Sequence, residues 1–203
     1  QFLRKNNNKV DVFLSDGKTN KLKKHIKKKY DFIICFRSHF LLKEKHLKAA
    51  KIAAINFHPG PPKYRGVGCV NSAILNGEKS YGTTAHLINN KIDNGKIIDV
   101  KYFRLNKKDK LDVILKKTHK NMLHQSKNIL NKIFKKPNNI KFLTIKNSNI
   151  KWSKKLMTRK KLNKLYQIDK NISKENLKKA IRALNYKDFK PYIKIDNFKF
   201  MLN

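Results

Sequence analysis

This chain of 203 residues is poor in four residue types at once: five Pro, seven Gly, two Cys and 13 carboxylates. Two cysteines, Cys35 and Cys69, cannot make a disulfide framework, and both lie in apolar stretches. They read as reduced, buried thiols of a cytoplasmic protein. Long apolar runs are also missing, which excludes a membrane-spanning helix. The opening "QFLRKNNNKV" has no apolar segment of the kind a signal peptide needs. Gly/Ser-rich stretches are absent, so no flexible linker divides the chain. Hydrophobic content of 39% is still enough for a folded core.

What the chain has in excess is lysine. The formal charge is +37, yet only six of the 50 basic residues are arginine, at positions 4, 37, 65, 104, 159 and 182. Arginine is the side chain that grips phosphates and base edges in a bidentate way. Lysine spread through every segment, together with abundant Asn and Ile, reads as a solvated coat rather than a nucleic-acid footprint. Such a coat would still attract an anionic small molecule.

Apolar runs alternate with Lys-rich helical segments, the pattern of an α/β chain. Strands are expected at 9–16, 31–36, 52–57, 81–89 and 96–105, and helices at 18–30, 41–51 and 68–79. Asn76-Gly77 closes the last of these as a C-cap. A helix from Leu111 to Lys136 carries an apolar stripe at 111, 115, 118, 122, 129 and 133 and is stopped by Pro137. Beyond it the pattern changes: short strand-like pieces "IKFLTI" and "IKW", a helix capped by Ser173, and a hairpin turning at Asp196-Asn197. Residues 1–137 therefore read as one domain and 138–203 as a small α+β appendage.

Within this chain the scarce residues gather in one place, "NFHPGPPKYRG" (56–66). Residues two apart on a strand share a face. Asn56 and His58 thus point together from the C-terminal end of a strand, where open α/β sheets bind their ligands. Pro59 holds His58 out of helical geometry, and Gly60, Pro61 and Pro62 make a stiff loop. Asp93 sits in a loop, "NKIDNG", between two later strands. An amide donor, an imidazole and a carboxylate make a workable set for acyl transfer to an amine. On spacing alone, an ordinary Pro-Gly turn and an ordinary Asp-Asn-Gly loop remain open. His86 in mid-strand reads as a hydrogen-bonded core histidine, His119 and His124 lie off one helix face, and no metal site is expected. Trp152 reads as a structural aromatic.

The segment from Asn56 to Ile98 resembles the core of the formyltransferases that use 10-formyltetrahydrofolate, a family that includes the sugar N-formyltransferases and methionyl-tRNA formyltransferase. The resemblance rests on Asn-x-His-Pro, Tyr-Arg-Gly, Asn-Gly-Glu and Ile-Asp-x-Gly, in that order. It extends from "VDVFLSD" to Arg104. It implies a doubly wound, mostly parallel Rossmann-like sheet, with Asn56, His58 and Asp93 as the catalytic triad. An uncharged amine would attack the formyl carbon, Asn56 would hold the developing oxyanion, and His58, oriented by Asp93, would manage the proton. The pterin of the co-substrate would lie against Phe36, Arg37, Ser38, His39, Phe40, Leu41 and Ile92. Pro61, Tyr64 and Arg65 would line the amine side. No strand and glycine turn precede "QFLRKNNN", so the resemblance implies a chain incomplete at its start.

The short "HPGPP" form and the character of the appendage resemble the sugar N-formyltransferases more than the methionyl-tRNA enzymes. The expected acceptor is an amino sugar linked to a nucleotide, with methionyl-tRNA as the alternative. A basic nucleic-acid-binding protein or an inactive relic is the reading from another class. No membrane partner is expected, and a homodimer is compatible with the sequence. The tight loop at Pro61-Pro62 suggests one cis peptide bond.

Overall fold

The computed structural model describes residues 2–5, 9–15, 26, 28–137 and 149–202. After a short helix α1 (Phe2–Lys5), the chain runs β1 (Tyr30–Phe36), α2 (Glu44–Leu47), β2 (Ala50–His58), β3 (Arg65–Gly66) and α3 (Cys69–Leu75). Then come β4 (Ser80–Leu87), β5 (Ile97–Arg104), α4 (Leu111–Lys135), β6 (Leu156–Met157) and α5 (Arg159–Leu165). The chain ends with β7 (Gln167–Ile168), α6 (Lys174–Leu184), β8 (Tyr192–Ile195) and β9 (Phe198–Met201).

The main sheet has the order β1-β2-β4-β5. β1 and β2 are parallel, while β2–β4 and β4–β5 are antiparallel. Alternation along β2 sends Ile55 and Phe57 to one face, where they join Ala85, Ile98, Met122, Ile129, Leu130 and Ile133 in a core beneath α4. The opposite face is left with Ala54, Asn56 and His58. α4 is also bound to the sheet through polar groups. Gln125 accepts from Thr83 Oγ1 at 2.8 Å and donates to Asp99 Oδ2 at 2.8 Å, and Asn121 donates to the Lys101 carbonyl at 2.8 Å. Buried polar groups paired in this way fix a helix rotationally as well as by depth.

A second core joins the early and late parts of the chain. Val70, Ala73 and Ile74 of α3 pack with Ala180, Ala183 and Leu184 of α6. Ser173 caps α6 by accepting from the Asn176 N–H, as its sequence position predicts. β3 pairs in parallel with β6, so residues 65–66 and 156–157 form a two-stranded ladder. Gly66 makes this pairing possible: its φ is +89°, and a Cβ there would collide with the Met157 carbonyl oxygen.

Several local expectations are corrected. Residues 9–14 form no ladder, with only Ser15 in a bridge, and Val12 and Leu14 stay exposed rather than covered by a neighbour. The helix expected at 41–51 is cut to one turn because Ala50 and Lys51 are taken into β2, whose pairing starts at Tyr30↔Ala50. "IKW" is not a strand; the pairing residues are Leu156 and Met157, where β3 offers a partner. "IKFLTI" and most of the helix placed at 18–30 lie outside the described residues. No described helix is long and apolar enough to cross a membrane.

Leu184 is fully enclosed where α6 meets α3. Leu184→Ala should cost about 2–5 kcal/mol, read as a lower urea midpoint with an unchanged slope.

Candidate active site

The end of β2 and the register of β4 place four side chains on one face. Antiparallel pairing sets Asn56 opposite His86 and His58 opposite Thr84, so all four share the face turned away from α4. Parallel pairing of Cys35 with Asn56 and of Phe36 with Phe57 brings the loop after β1 to the same edge. Beyond His58 the chain curls back over the imidazole. Tyr81 Oη donates to the Pro59 carbonyl and Thr84 Oγ1 to the Gly60 carbonyl, each at 2.7 Å, while the Tyr64 N–H closes on the Pro61 carbonyl at 2.9 Å. These bonds fix the loop with every peptide trans, so the cis bond expected at Pro61-Pro62 is not formed. The wrap is tight: a Cβ on Gly60 would stand 2.8 Å from His58 Nε2.

Asp93 reaches this face from the loop between β4 and β5, with φ at 42°. Its Oδ2 accepts from the Gly66 N–H at 2.8 Å and lies 3.3 Å from His58 Nδ1. Its Oδ1 is 3.4 Å from Asn56 Nδ2 and 3.5 Å from His86 Nε2. Burial alone would raise the carboxyl's pKa, but the neighbouring His58 ring and the Gly66 N–H pull it the other way, and it stays below the ordinary range.

His58 is only 3% exposed. Its Nε2 meets the Tyr64 carbonyl at 2.8 Å, so acceptors stand at both ring nitrogens. Burial pushes its pKa below the ordinary histidine value, against the pull of Asp93 and the Tyr64 carbonyl. The resting ring is therefore neutral and satisfies one acceptor. A proton added to it finds the second acceptor already in place.

The remaining predicted residues divide. Arg65 spans the site's rim, donating from Nη1 to the Ser153 carbonyl at 2.9 Å and from Nη2 to the Ile92 carbonyl at 2.7 Å. Its Nε is buried without a partner among the described residues. Tyr64 is buried, with its hydroxyl donating to Glu78 Oε1 at 2.7 Å, and Pro61 is buried in the loop, so both shape the loop rather than face solvent. Phe36, Leu41 and Ile92 keep their apolar side chains exposed, which suits a flat aromatic ligand. Arg37 has φ at 51°, the Ser38 hydroxyl accepts from the Phe40 N–H, the His39 N–H reaches Ser15 Oγ, and Phe40 stacks edge-on to His46. Cys69, beneath His58 at 3.7 Å from Nε2, has its thiol pKa raised by burial and stays protonated.

Two residues read from sequence as structural belong to this cluster. His86 contacts Asn56 Nδ2 at 3.1 Å. Trp152, from the late part of the chain, lies edge-on to both histidines, with ring centroids 5.8 Å from His58 and 5.0 Å from His86, and donates Nε1–H to the Gly95 carbonyl at 2.7 Å. Strand register was the available signal for His86. Nothing local to "IKW" marks Trp152.

Similarity to known proteins follows the same residues. Over 107 residues the chain is 36% identical to the bifunctional polymyxin resistance protein ArnA of Wigglesworthia glossinidia brevipalpis, which covers 52% of this chain and 16% of that protein. It is 28% identical over 104 residues to a methionyl-tRNA formyltransferase of Finegoldia magna, covering 51% of this chain and 32% of that protein. The chain thus spans less than a third of either relative's length. Among solved structures, a 4-N formyltransferase from Francisella tularensis superposes with a TM-score of 0.68 at 21% identity, over 85% of this chain and 69% of that one. The N-formyltransferase of Helicobacter canadensis, solved with folinic acid and dTDP-3-aminofucose, gives 0.61 at 24% identity, over 81% and 59%. These two likenesses establish a Rossmann-like α/β fold. The sequence model described as formyl transferase matches residues 13–130, more than half of the chain and a span that holds Asn56, His58, His86 and Asp93 together, so the chain belongs to the formyl transferase family.

Proposed function

We propose that this protein transfers the formyl group of 10-formyltetrahydrofolate to the primary amine of a nucleotide-linked amino sugar. The observation that carries the reading is the convergence of Asn56, His58 and Asp93 on one buried face, with distances of 3.3 and 3.4 Å to the shared carboxylate. The co-substrate supplies an activated formyl carbon. The exposed apolar side chains of Phe36 and Leu41 after β1, and of Ile92 beside Asp93, are the surface we assign to its pterin, with Arg37, Ser38, His39 and Phe40 forming the loop. Asn56 Nδ2 donates to the formyl oxygen as negative charge gathers there, a contribution of roughly 3 kcal/mol for a well-placed donor. As the amine nitrogen bonds to the formyl carbon it must lose a proton, and the departing N10 must gain one. We assign both transfers to His58. Once protonated, the ring has the Tyr64 carbonyl at one nitrogen and the Asp93 carboxylate at the other, so the charge is paired as it forms.

The sugar assignment draws on three features. The "HPGPP" loop is short, the segment from Trp152 to Met157 is built onto it, and the positive charge is dispersed lysine. The Helicobacter canadensis complex with folinic acid and dTDP-3-aminofucose supports the same acceptor class. We further propose residues 1–137 as the catalytic unit and 138–203 as an appendage that helps to close it, in a cytoplasmic enzyme. Methionyl-tRNA is the competing acceptor, on the similarity to the Finegoldia magna enzyme.

Three outcomes test this. His58→Ala and Asp93→Asn should each lower kcat about 10²–10⁴-fold while folate binding, followed by fluorescence quenching, persists. In the wild type the acid limb of kcat/KM should fall below the ordinary histidine value of about 6.5, because burial keeps the base unprotonated to lower pH. Asp93→Asn should move the limb further toward acid, since it removes the carboxylate that pulls the ring's pKa up; a limb at or above the ordinary value would contradict a neutral His58. Across 50–300 mM salt, KM for a sugar nucleotide should rise gently, whereas a tRNA held through many phosphates would be lost steeply.

A further inference from the structure

Asn56 is a member of the triad whose chemistry depends on which way round its side chain sits. A carboxamide has a donating and an accepting end of nearly the same shape, and only the donating end can stabilise an oxyanion. His86 decides the matter. Its Nδ1 is 2.8 Å from the Leu87 carbonyl oxygen, an atom that can only accept, so Nδ1 carries a proton. The lone pair of Nε2 then faces Asn56 Nδ2 at 3.1 Å, an atom that can only donate. The backbone thus sets the tautomer of His86, and the tautomer sets the orientation of Asn56. The His86 Nε2 to Asp93 Oδ1 separation of 3.5 Å is longer and, in this tautomer, makes no hydrogen bond.

The two N–H groups of Asn56 are therefore unequal. One is held by His86 at 3.1 Å; the other points to Asp93 Oδ1 at 3.4 Å, a long and weak contact. The second is the one a substrate oxygen can capture at small cost. Trp152, edge-on to the His86 ring, helps keep water from competing for Nε2. His86 is 2% exposed and is enclosed by Asn56, Asp93, Trp152 and its own strand. We infer that His86 is a positioning residue that locks the Asn56 carboxamide with its amino group turned into the site and one N–H available to the formyl oxygen. The inference rests on the formyl-transfer reading for its consequence, but the lock itself is a property of the protein without ligand.

The two can be tested separately. In the 15N-labelled full chain, long-range 1H–15N correlation spectra should show His86 protonated at Nδ1 and bare at Nε2. A proton on Nε2, in the other tautomer or in the doubly protonated ring, would overturn the lock, because that nitrogen could no longer accept from Asn56. Kinetics then probe the consequence, with 10-formyltetrahydrofolate as donor and dTDP-3-aminofucose as acceptor. His86→Leu should lower kcat about tenfold, a part of what one oxyanion donor supplies, with both KM values within about twofold. His86→Gln, whose Oε1 can accept the same N–H, should restore most of the loss. In an Asn56→Ala background His86→Leu should cost nothing more, since its effect runs through Asn56. Independent, multiplying losses would refute the positioning role. If Asn56→Ala itself left kcat unchanged while the spectra showed a bare Nε2, the oxyanion role would fall and the lock would stand. The spectra need no variant, so they decide the lock even if His86→Leu does not fold.

Discussion

A buried carboxylate must be partnered, and Asp93 is the group around which this site is arranged. In a chain with 50 basic residues and 13 acidic ones, an isolated anion could easily have found a lysine. Asp93 instead takes a backbone N–H from Gly66 and faces His58, His86 and Asn56. Neutral and weakly charged partners leave the carboxylate ionised without cancelling it, so its field remains to act on His58. A lysine in the same place would neutralise it and leave the imidazole without its counter-charge.

The requirement spreads outward. Gly66 donates to Asp93 while itself at positive φ, and β3 is held by its pairing with β6. Arg65, one residue earlier, bonds to the Ile92 carbonyl on one side of Asp93 and to Ser153 on the other side of the rim. At the far end of the loop, Glu78 gathers Lys63 Nζ at 2.5 Å and Tyr64 Oη at 2.7 Å. Tyr64 also offers its carbonyl to His58, so an exposed ion pair, worth little by itself, contributes to a buried contact.

How much of this could be read from the sequence depended on the range of each signal. β2, β4, β5, α4, α6 and the final hairpin were legible because their apolar period or capping residue lies within the element. Asn56 and His58 were legible for the same reason: strand alternation and Pro59 act within three residues. Asp93 was identified by its motif, since its approach to His58 depends on loop closure that no local rule supplies. His86 needed a register between strands 30 residues apart, and a histidine in mid-strand looks the same whether its neighbour is an Asn or a Leu. Trp152 needed the tertiary path of the late chain. Propensity misled where pairing competed with it: Ala50 and Lys51 suit a helix but are extended in β2 beside Tyr30. The trans Pro61-Pro62 loop shows the same limit, because hydrogen bonds from Tyr81 and Thr84 and within the loop, rather than proline count, fix its path.

The placement of Trp152 has a consequence for how the protein comes into being. β1, β2, β4, β5 and α4 are complete by residue 135, and with them Asn56, His58, His86 and Asp93. The ring that covers the two histidines, and the β6 strand that holds Gly66, are synthesised later. The loop from Pro59 to Tyr64 already wraps the His58 ring from within the first 135 residues, and Trp152 adds the remaining cover from the late chain. The cover of the two histidines thus depends on a residue more than 60 positions further along the chain than either of them.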